Sequence, residues 1–133
     1  MTKINISINI KDINVLTNIL DLYSRLGSGQ LEELISQHNS PIVNQKLSED
    51  EKEKLKQHIQ QIKEILFPEL GNFSSYGIFS NKITDDVKFS YDILQVIRNK
   101  VAWYNNPKGG INVNFDEPLK SSSRPLIEVN ISD

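Results

Sequence analysis

The sequence predicts an α+β fold in which about four helices pack on a small antiparallel sheet of three strands. Apolar residues alternate with polar residues in one N-terminal and two C-terminal segments. Between these segments, apolar residues recur every three or four positions, which is the helical spacing. Because each predicted strand has one apolar face, an antiparallel sheet covered by helices on one side would bury all three faces.

The three predicted strands cover residues 4–10, 111–115 and 127–131. In the first strand, isoleucine stands at every second position, with asparagine or serine between. The other two repeat this period of two with isoleucine, valine and phenylalanine. The N-terminal alternation differs from the continuous apolar stretch of a signal peptide, and no segment approaches the roughly 18 apolar residues of a membrane span. We therefore expect a cytoplasmic protein without membrane contact.

Two helices are expected between the first strand and residue 37. Asp12 is a suitable N-cap for the first helix, whose apolar residues keep a helical spacing to about residue 26. The glycine-bearing segment 27–29 then ends this helix. Ser28 is placed to cap a short second helix over residues 30–37.

Two longer helices follow. Ser48 and Glu51 form the sequence pattern of a capping box, which predicts a helix over residues 49–67. The alternating charges of this third helix predict a solvated face. Thr84 is the expected N-cap of a fourth helix that runs to about Tyr104.

The composition excludes several classes of site. The chain has 133 residues, a net charge of −2 and no cysteine. Thiolate metal sites and thiol catalysis are therefore excluded, and the net charge does not indicate a basic surface that would bind duplex nucleic acid. His38 and His58 lie far apart in the sequence and no catalytic motif occurs, so we expect neither an enzyme nor a cofactor. At this length we expect a single domain over residues 1–133.

Two arginines are candidate phosphate contacts. Arg25 and Gln30 flank the glycine-bearing turn, where a guanidinium and exposed N–H groups can hold a phosphate. An ordinary helix end with a glycine cap and a favourable positive charge explains the same residues. Arg98 lies beside the apolar stripe of the fourth helix. It either pairs with one internal carboxylate or points into a cleft that receives an anion.

An aromatic loop is the most informative stretch for ligand binding. Residues 72–81 combine aromatic rings with small hydroxyls and amides, a set that stacks on a nucleobase and bonds its edge. Tyr76, Phe79 and Asn81 are therefore candidate ligand contacts. The alternative is a loop folded over the core, with its phenylalanines filling gaps.

A second candidate lies at the end of the fourth helix. Trp103 precedes a turn that contains Lys108 and two glycines. Such a turn can form an anion-binding nest. A turn that leads into the second strand is the simpler explanation.

Three segments resemble small, mostly uncharacterised phage and prophage proteins. Residues 22–33 read LYSRLGSGQLEE, residues 75–78 read SYGI, and residues 91–98 read YDILQVIR. The resemblance extends over roughly residues 12–116. It implies a phage setting, in which small non-enzymatic proteins antagonise host defence by binding an immune signal.

This setting gives the leading hypothesis. The chain is predicted to be an anti-defence protein that binds and sequesters a cyclic nucleotide or cyclic ADP-ribose signal without catalysis. Arg25 and Arg98 would contact phosphate, and Tyr76 or Phe79 would stack on a base. Asn81 or Gln30 would form hydrogen bonds to the edge of that base. We expect a homo-oligomer, because ligand pockets often form at interfaces. The alternative is a protein–protein interaction module that inhibits a host enzyme, since the isoleucine strand can offer an open edge.

Overall fold

The fold is known from a computed structural model that describes residues 1–36 and 46–133. Over these ranges it contains four α-helices and two short 3₁₀ turns. The helices are α1 (Ile13–Gly27), α2 (Glu33–Ser36), α3 (Glu49–Leu66) and α4 (Asp85–Asn105), and the 3₁₀ turns are Ile10–Asp12 and Val113–Phe115. None of the helices in these ranges combines the length and the hydropathy needed to cross a bilayer.

The predicted α+β class is wrong, because the described residues form no β-strand and no sheet. The predicted strand at 4–10 is an irregular segment that ends in the first 3₁₀ turn. Ile4 and Ile6 are 85% and 86% exposed. No backbone–backbone hydrogen bond links residues 1–8 to any other described residue. Alternation fixes which side of a segment is apolar, but a strand forms only where a second strand completes its ladder.

The two predicted C-terminal strands are also absent. Residues 111–115 contain the second 3₁₀ turn, and residues 127–131 are irregular. Instead, residues 114–119 run antiparallel to α4 along its surface. Asn99 Nδ2 donates to the carbonyl oxygens of Asn114 and Asp116 at 2.9 Å each. Helix side chains therefore take the hydrogen-bonding role that a neighbouring strand was predicted to have.

A run of serines fixes the next part of the C-terminal segment to α4. Asp92, which is 1% exposed, accepts hydrogen bonds from the backbone N–H and the hydroxyl of both Ser121 and Ser122. These four distances run from 2.5 to 3.0 Å. About two turns of α4 before Asp92, Asp85 accepts hydrogen bonds from the N–H and the hydroxyl of Ser123 at 2.7 and 2.8 Å. Two aspartates on one side of α4 therefore anchor three consecutive serines.

The two helices α1 and α4 pack antiparallel and close together. Ser24 Oγ lies 2.9 Å from Ser90 Oγ, and a Cβ at Gly27 would lie 2.4 Å from Val87 Cγ2. Small and polar residues of α1 contact α4. An apolar residue of α1, Ile19, is 59% exposed. The buried apolar residues of the described chain are Leu31, Ile59, Ile83, Val87, Leu94, Val96 and Ile97.

The two long helices confirm their predicted boundaries. Ser48 and Glu51 form both hydrogen bonds of the capping box that starts α3. The Thr84 side chain accepts the N–H of Val87 at the start of α4. The short helix differs: α2 begins at Glu33 instead of residue 30, and residue 37 lies outside the described ranges.

Candidate functional site

Two arginines from different helices meet at one carboxylate. Arg25 Nε of α1 lies 2.9 Å from Asp21 Oδ2, and Arg98 Nη2 of α4 lies 3.7 Å from Asp21 Oδ1. The Asp21 side chain is 9% exposed, while those of Arg25 and Arg98 are 36% and 37% exposed. We call these three residues the arginine cluster. Arg98 therefore has the internal carboxylate that was one of its two predicted roles, and about a third of its side chain still faces solvent.

The turn after α1 holds the other side of Arg25. Arg25 Nη1 donates to Gln30 Oε1 at 3.0 Å and to Glu33 Oε1 at 3.3 Å. Gly29 has a φ of 95°, and a Cβ there would lie 2.5 Å from a leucine side chain, so this position requires glycine. The Ser28 hydroxyl donates to the Arg25 carbonyl at 2.9 Å, which caps the end of α1 and not the start of α2. The structure thus brings Arg25 and Gln30 into direct contact at the turn that they flank.

The aromatic loop reaches this turn through one of its three candidate residues. The Tyr76 N–H donates to the Ser28 carbonyl at 2.9 Å, and the Tyr76 hydroxyl donates to Glu69 Oε2 at 3.0 Å. Partial burial and the Glu69 carboxylate raise the pKa of the Tyr76 hydroxyl. Phe79 is 62% exposed and Asn81 is also exposed. Within the described part of the chain, no hydrogen bond, ion pair or ring contact connects either residue to the arginine cluster.

Trp103 and Lys108 lie apart from the arginine cluster. Trp103 Nε1 donates to the Phe115 carbonyl at 3.2 Å, and the two rings meet edge to face with centroids 5.3 Å apart. Trp103 follows Arg98 by five positions, which is about 140° around the helix axis. It therefore faces the second 3₁₀ turn, whereas Arg98 faces α1. Gly109 packs on the Trp103 ring with a φ of 85°, and Lys108 is exposed beside it.

The chain matches no protein-family model, no curated protein and no solved structure. Its resemblance to small phage proteins therefore stays a prediction, and function has to be inferred from its side chains. Among the described residues, no group of three or more histidine or acidic side chains is placed to hold a metal ion. His58 is exposed on α3, and His38 lies outside the described ranges.

A second polar cluster lies between α2 and α3, where the sequence predicted only a solvated face. Lys63 is 3% exposed, and its Nζ donates to Glu32 Oε1 at 2.8 Å and to the Ser74 carbonyl at 2.7 Å. The Phe73 N–H donates to the same Glu32 oxygen at 3.3 Å. One signal in the sequence points to this burial: Lys63 follows Ile59 by four positions and so shares its side of the helix.

A cavity of about 250 Å³ opens beside this cluster. Its lining comprises Glu32, Ile35, Ser36, Lys56, Ile59, Gln60, Lys63, Asn72 and Phe73. Burial opposes ionisation of Glu32 most strongly, but the Lys63 ammonium and backbone N–H groups outweigh it and lower the pKa of Glu32 from its ordinary value. Phe73 is 84% exposed and has a φ of 61°, which is uncommon for a residue with a side chain.

Proposed function

We propose that this chain is a non-enzymatic binding protein that sequesters a nucleotide-derived immune signal of the cyclic nucleotide or cyclic ADP-ribose type. The observation that carries the proposal is the meeting of Arg25 and Arg98 at Asp21. Two neighbouring guanidinium groups match the geometry of phosphate oxygens. The resemblance to small phage proteins supports a role against host defence, in the cytoplasm of the host.

Both arginines keep hydrogen-bond donors for a ligand. Arg98 makes a single ion pair at 3.7 Å within the described chain, which leaves most of its five N–H donors without a protein partner there. Arg25 engages Nε and Nη1, and its Nη2 has no partner among the described residues. A phosphate can therefore bind these outward donors while Asp21 stays in place between the two side chains.

The charges of the cluster restrict the type of ligand. The carboxylates of Asp21 and Glu33 lie against the two guanidinium groups, so the cluster carries little net positive charge. We expect weak binding of inorganic phosphate and tighter binding of a ligand whose second part contacts the protein elsewhere. Tyr76 is the nearest aromatic candidate, because its backbone is bonded to the turn that holds Arg25. A second copy of the chain, in the expected homo-oligomer, would supply further walls.

The test is native mass spectrometry with a panel of cyclic nucleotides and cyclic ADP-ribose isomers. We expect an intact ligand to add to the protein, and Arg98→Ala to weaken binding at least tenfold, since charge-assisted hydrogen bonds are worth about 1.5–3 kcal/mol. Lys100→Ala is the matched control, because it removes one exposed positive charge from the same helix. Arg98→Lys keeps the charge but loses the planar fork, and should bind weakly.

Three outcomes would contradict the proposal. Unchanged binding by folded Arg98→Ala would exclude the arginine cluster as the site. A ligand that is converted into products would indicate an enzyme. If no ligand of the panel binds, the proposed function is wrong and the second candidate function remains.

The second candidate is a protein–protein interaction module. Its support is the exposure of Ile4 and Ile6 in a segment whose backbone makes no backbone–backbone hydrogen bond to other described residues. Ile19 and Tyr23 on α1 add a further exposed apolar surface, 59% and 50% exposed. Such a segment can add a strand to the edge of a partner's sheet.

This candidate is tested by replacing Ile6 with aspartate in the full chain. A stoichiometric complex with a host protein should be lost in Ile6→Asp. It should survive in Asn5→Asp, which adds the same charge at the next position. Equal loss in both variants would show that charge and not the apolar surface decides the contact.

A further inference from the structure

We propose that the cavity beside Lys63 binds a flat, uncharged heteroaromatic ring that carries a hydrogen-bond acceptor next to a donor, as the edge of adenine does. This site differs from the arginine cluster, and the inference goes beyond the proposed function. Three properties of the cavity support it: a polar base that can form further hydrogen bonds, an aromatic ring at its mouth, and apolar walls.

The polar base is the Lys63–Glu32 ion pair. The Lys63 ammonium has three N–H bonds and uses two of them, on Glu32 Oε1 and on the Ser74 carbonyl. The third has no partner among the described residues. Glu32 accepts from Lys63 and Phe73 on Oε1, and its carboxylate also interacts with its own backbone N–H. A carboxylate has about four lone-pair sites, so it can accept a further hydrogen bond from a ligand. A donor and an acceptor thus stand side by side at the base of one cavity.

The aromatic ring at the mouth is that of Phe73. A non-glycine residue at a φ of 61° is strained, and here the hydrogen bond from its own N–H to Glu32 holds that conformation. The strain places a large apolar ring in solvent, 84% exposed, at the edge of the cavity. An exposed aromatic face next to a polar base is the arrangement that stacks on a flat ring.

The walls and the size restrict the ligand further. Ile35 and Ile59 supply apolar walls. At about 250 Å³ the cavity is smaller than the roughly 300–1,000 Å³ typical of drug-sized ligands, so it suits one or two fused rings. Because buried Lys63 and partly exposed Glu32 already neutralise each other at 2.8 Å, an uncharged ring leaves the charges of this ion pair balanced.

The cavity and the arginine cluster lie on different sides of the α2 start. Glu32 bonds Lys63, while its neighbour Glu33 bonds Arg25. Adjacent residues at a helix start point in different directions. Each site can therefore fail or succeed in a binding experiment independently of the other.

The test is a titration of the labelled full-length protein with adenine, followed by NMR. Adenine offers an acceptor, N7, next to the amino donor on C6. Purine lacks this amino group and is the matched probe. We expect saturable shifts at Ile59 and Phe73, and binding of purine at least tenfold weaker than that of adenine.

Variants of Phe73 complete the test. Phe73→Ala should weaken adenine binding about tenfold or more, because removal of an aromatic ring that stacks on a base typically lowers the affinity by that much. Phe73→Tyr keeps the aromatic face and should bind as the parent does. Tyr104→Ala removes another exposed aromatic ring, 49% exposed and outside the cavity, and should change nothing. Absence of saturable shifts, equal affinity for adenine and purine, or equal affinity of Phe73→Ala and the parent would each overturn the proposal.

Discussion

Ser24 of α1 and Ser90 of α4 share a hydrogen bond of 2.9 Å inside the helix pair. Ser24 Oγ also lies 2.7 Å from the Leu20 carbonyl oxygen, and Ser90 Oγ lies 2.7 Å from the Val87 carbonyl oxygen. Because each hydroxyl has one proton, one serine donates to the other, which donates to the carbonyl of its own helix. Both buried hydroxyls are therefore satisfied without water. The contact needs a short distance between the helices, and small residues on α1 make that distance possible.

Gly27→Ala should destabilise the protein by about 1–3 kcal/mol. In an isolated helix, alanine would be more favourable than glycine by about 1 kcal/mol. Here the new Cβ would lie 2.4 and 2.7 Å from the two γ-carbons of Val87, whose branched side chain is 6% exposed and cannot move away easily. Urea unfolding monitored by circular dichroism measures the change.

Gly77→Ala is the control for that substitution, because a Cβ at Gly77 meets nothing within 4 Å. It should change the free energy of unfolding by less than about 0.5 kcal/mol. If Gly27→Ala proved as stable as the parent, α1 and α4 would not pack as closely as described.

The helices could be predicted because their signals are local. The capping box of Ser48 and Glu51 and the cap at Thr84 act within three residues, and both helices begin where predicted. A strand depends on a distant partner, and the sequence does not show that Asn99 and Asp92 take up the C-terminal backbone instead. Alternation alone therefore predicted a sheet that the described residues do not form.

In the candidate site, too, local contacts could be predicted from the sequence and contacts between distant residues could not. Gln30 follows Arg25 by five residues across the glycine-bearing turn, so these two candidate residues lie close together because they are close in the sequence. The pairing of Arg98 with Asp21 depends on helix packing, and the sequence left two alternatives open. The solvated face predicted for α3 does not include Lys63. Charged neighbours in the sequence indicated exposure to solvent, but Lys63 itself lies on the buried side of α3.

Asp92→Asn should destabilise the protein by about 2–3 kcal/mol. The carboxylate accepts four hydrogen bonds, two on each oxygen, from Ser121 and Ser122. An amide keeps one accepting oxygen and turns an N–H₂ toward two donors. Thermal unfolding measures the loss, and Asp116→Asn is the control, since the exposed Asp116 side chain makes no hydrogen bond to any described residue. Equal stability of the two variants would contradict the role of Asp92 as an anchor.

The same carboxylate should make stability depend on pH in the acid range. Burial opposes ionisation of Asp92 most strongly, but the hydrogen bonds from Ser121 and Ser122 outweigh it and lower the pKa of Asp92 from its ordinary value. A lowered folded-state pKa stabilises the fold above the unfolded value, and this stabilisation disappears as the pH falls through the folded-state pKa. The difference in unfolding free energy between the parent and Asp92→Asn should therefore be constant near neutral pH and shrink in acid, as the pH falls through the lowered folded-state pKa. A difference that stays constant throughout the acid range would be inconsistent with ionised Asp92.

Phe73→Gly should be more stable than Phe73→Ala by about 0.5–1 kcal/mol. Both variants remove a ring that is 84% exposed, so the loss of burial is small and equal. They differ at the backbone: a φ of 61° costs an alanine roughly 1–2 kcal/mol, while glycine adopts it freely but loses about 0.5–1 kcal/mol more to chain entropy. Urea unfolding of the two variants measures the difference. If alanine were equally stable, residue 73 would relax to an ordinary φ, and the hydrogen bond from its N–H to Glu32 would not hold the ring at the mouth of the cavity.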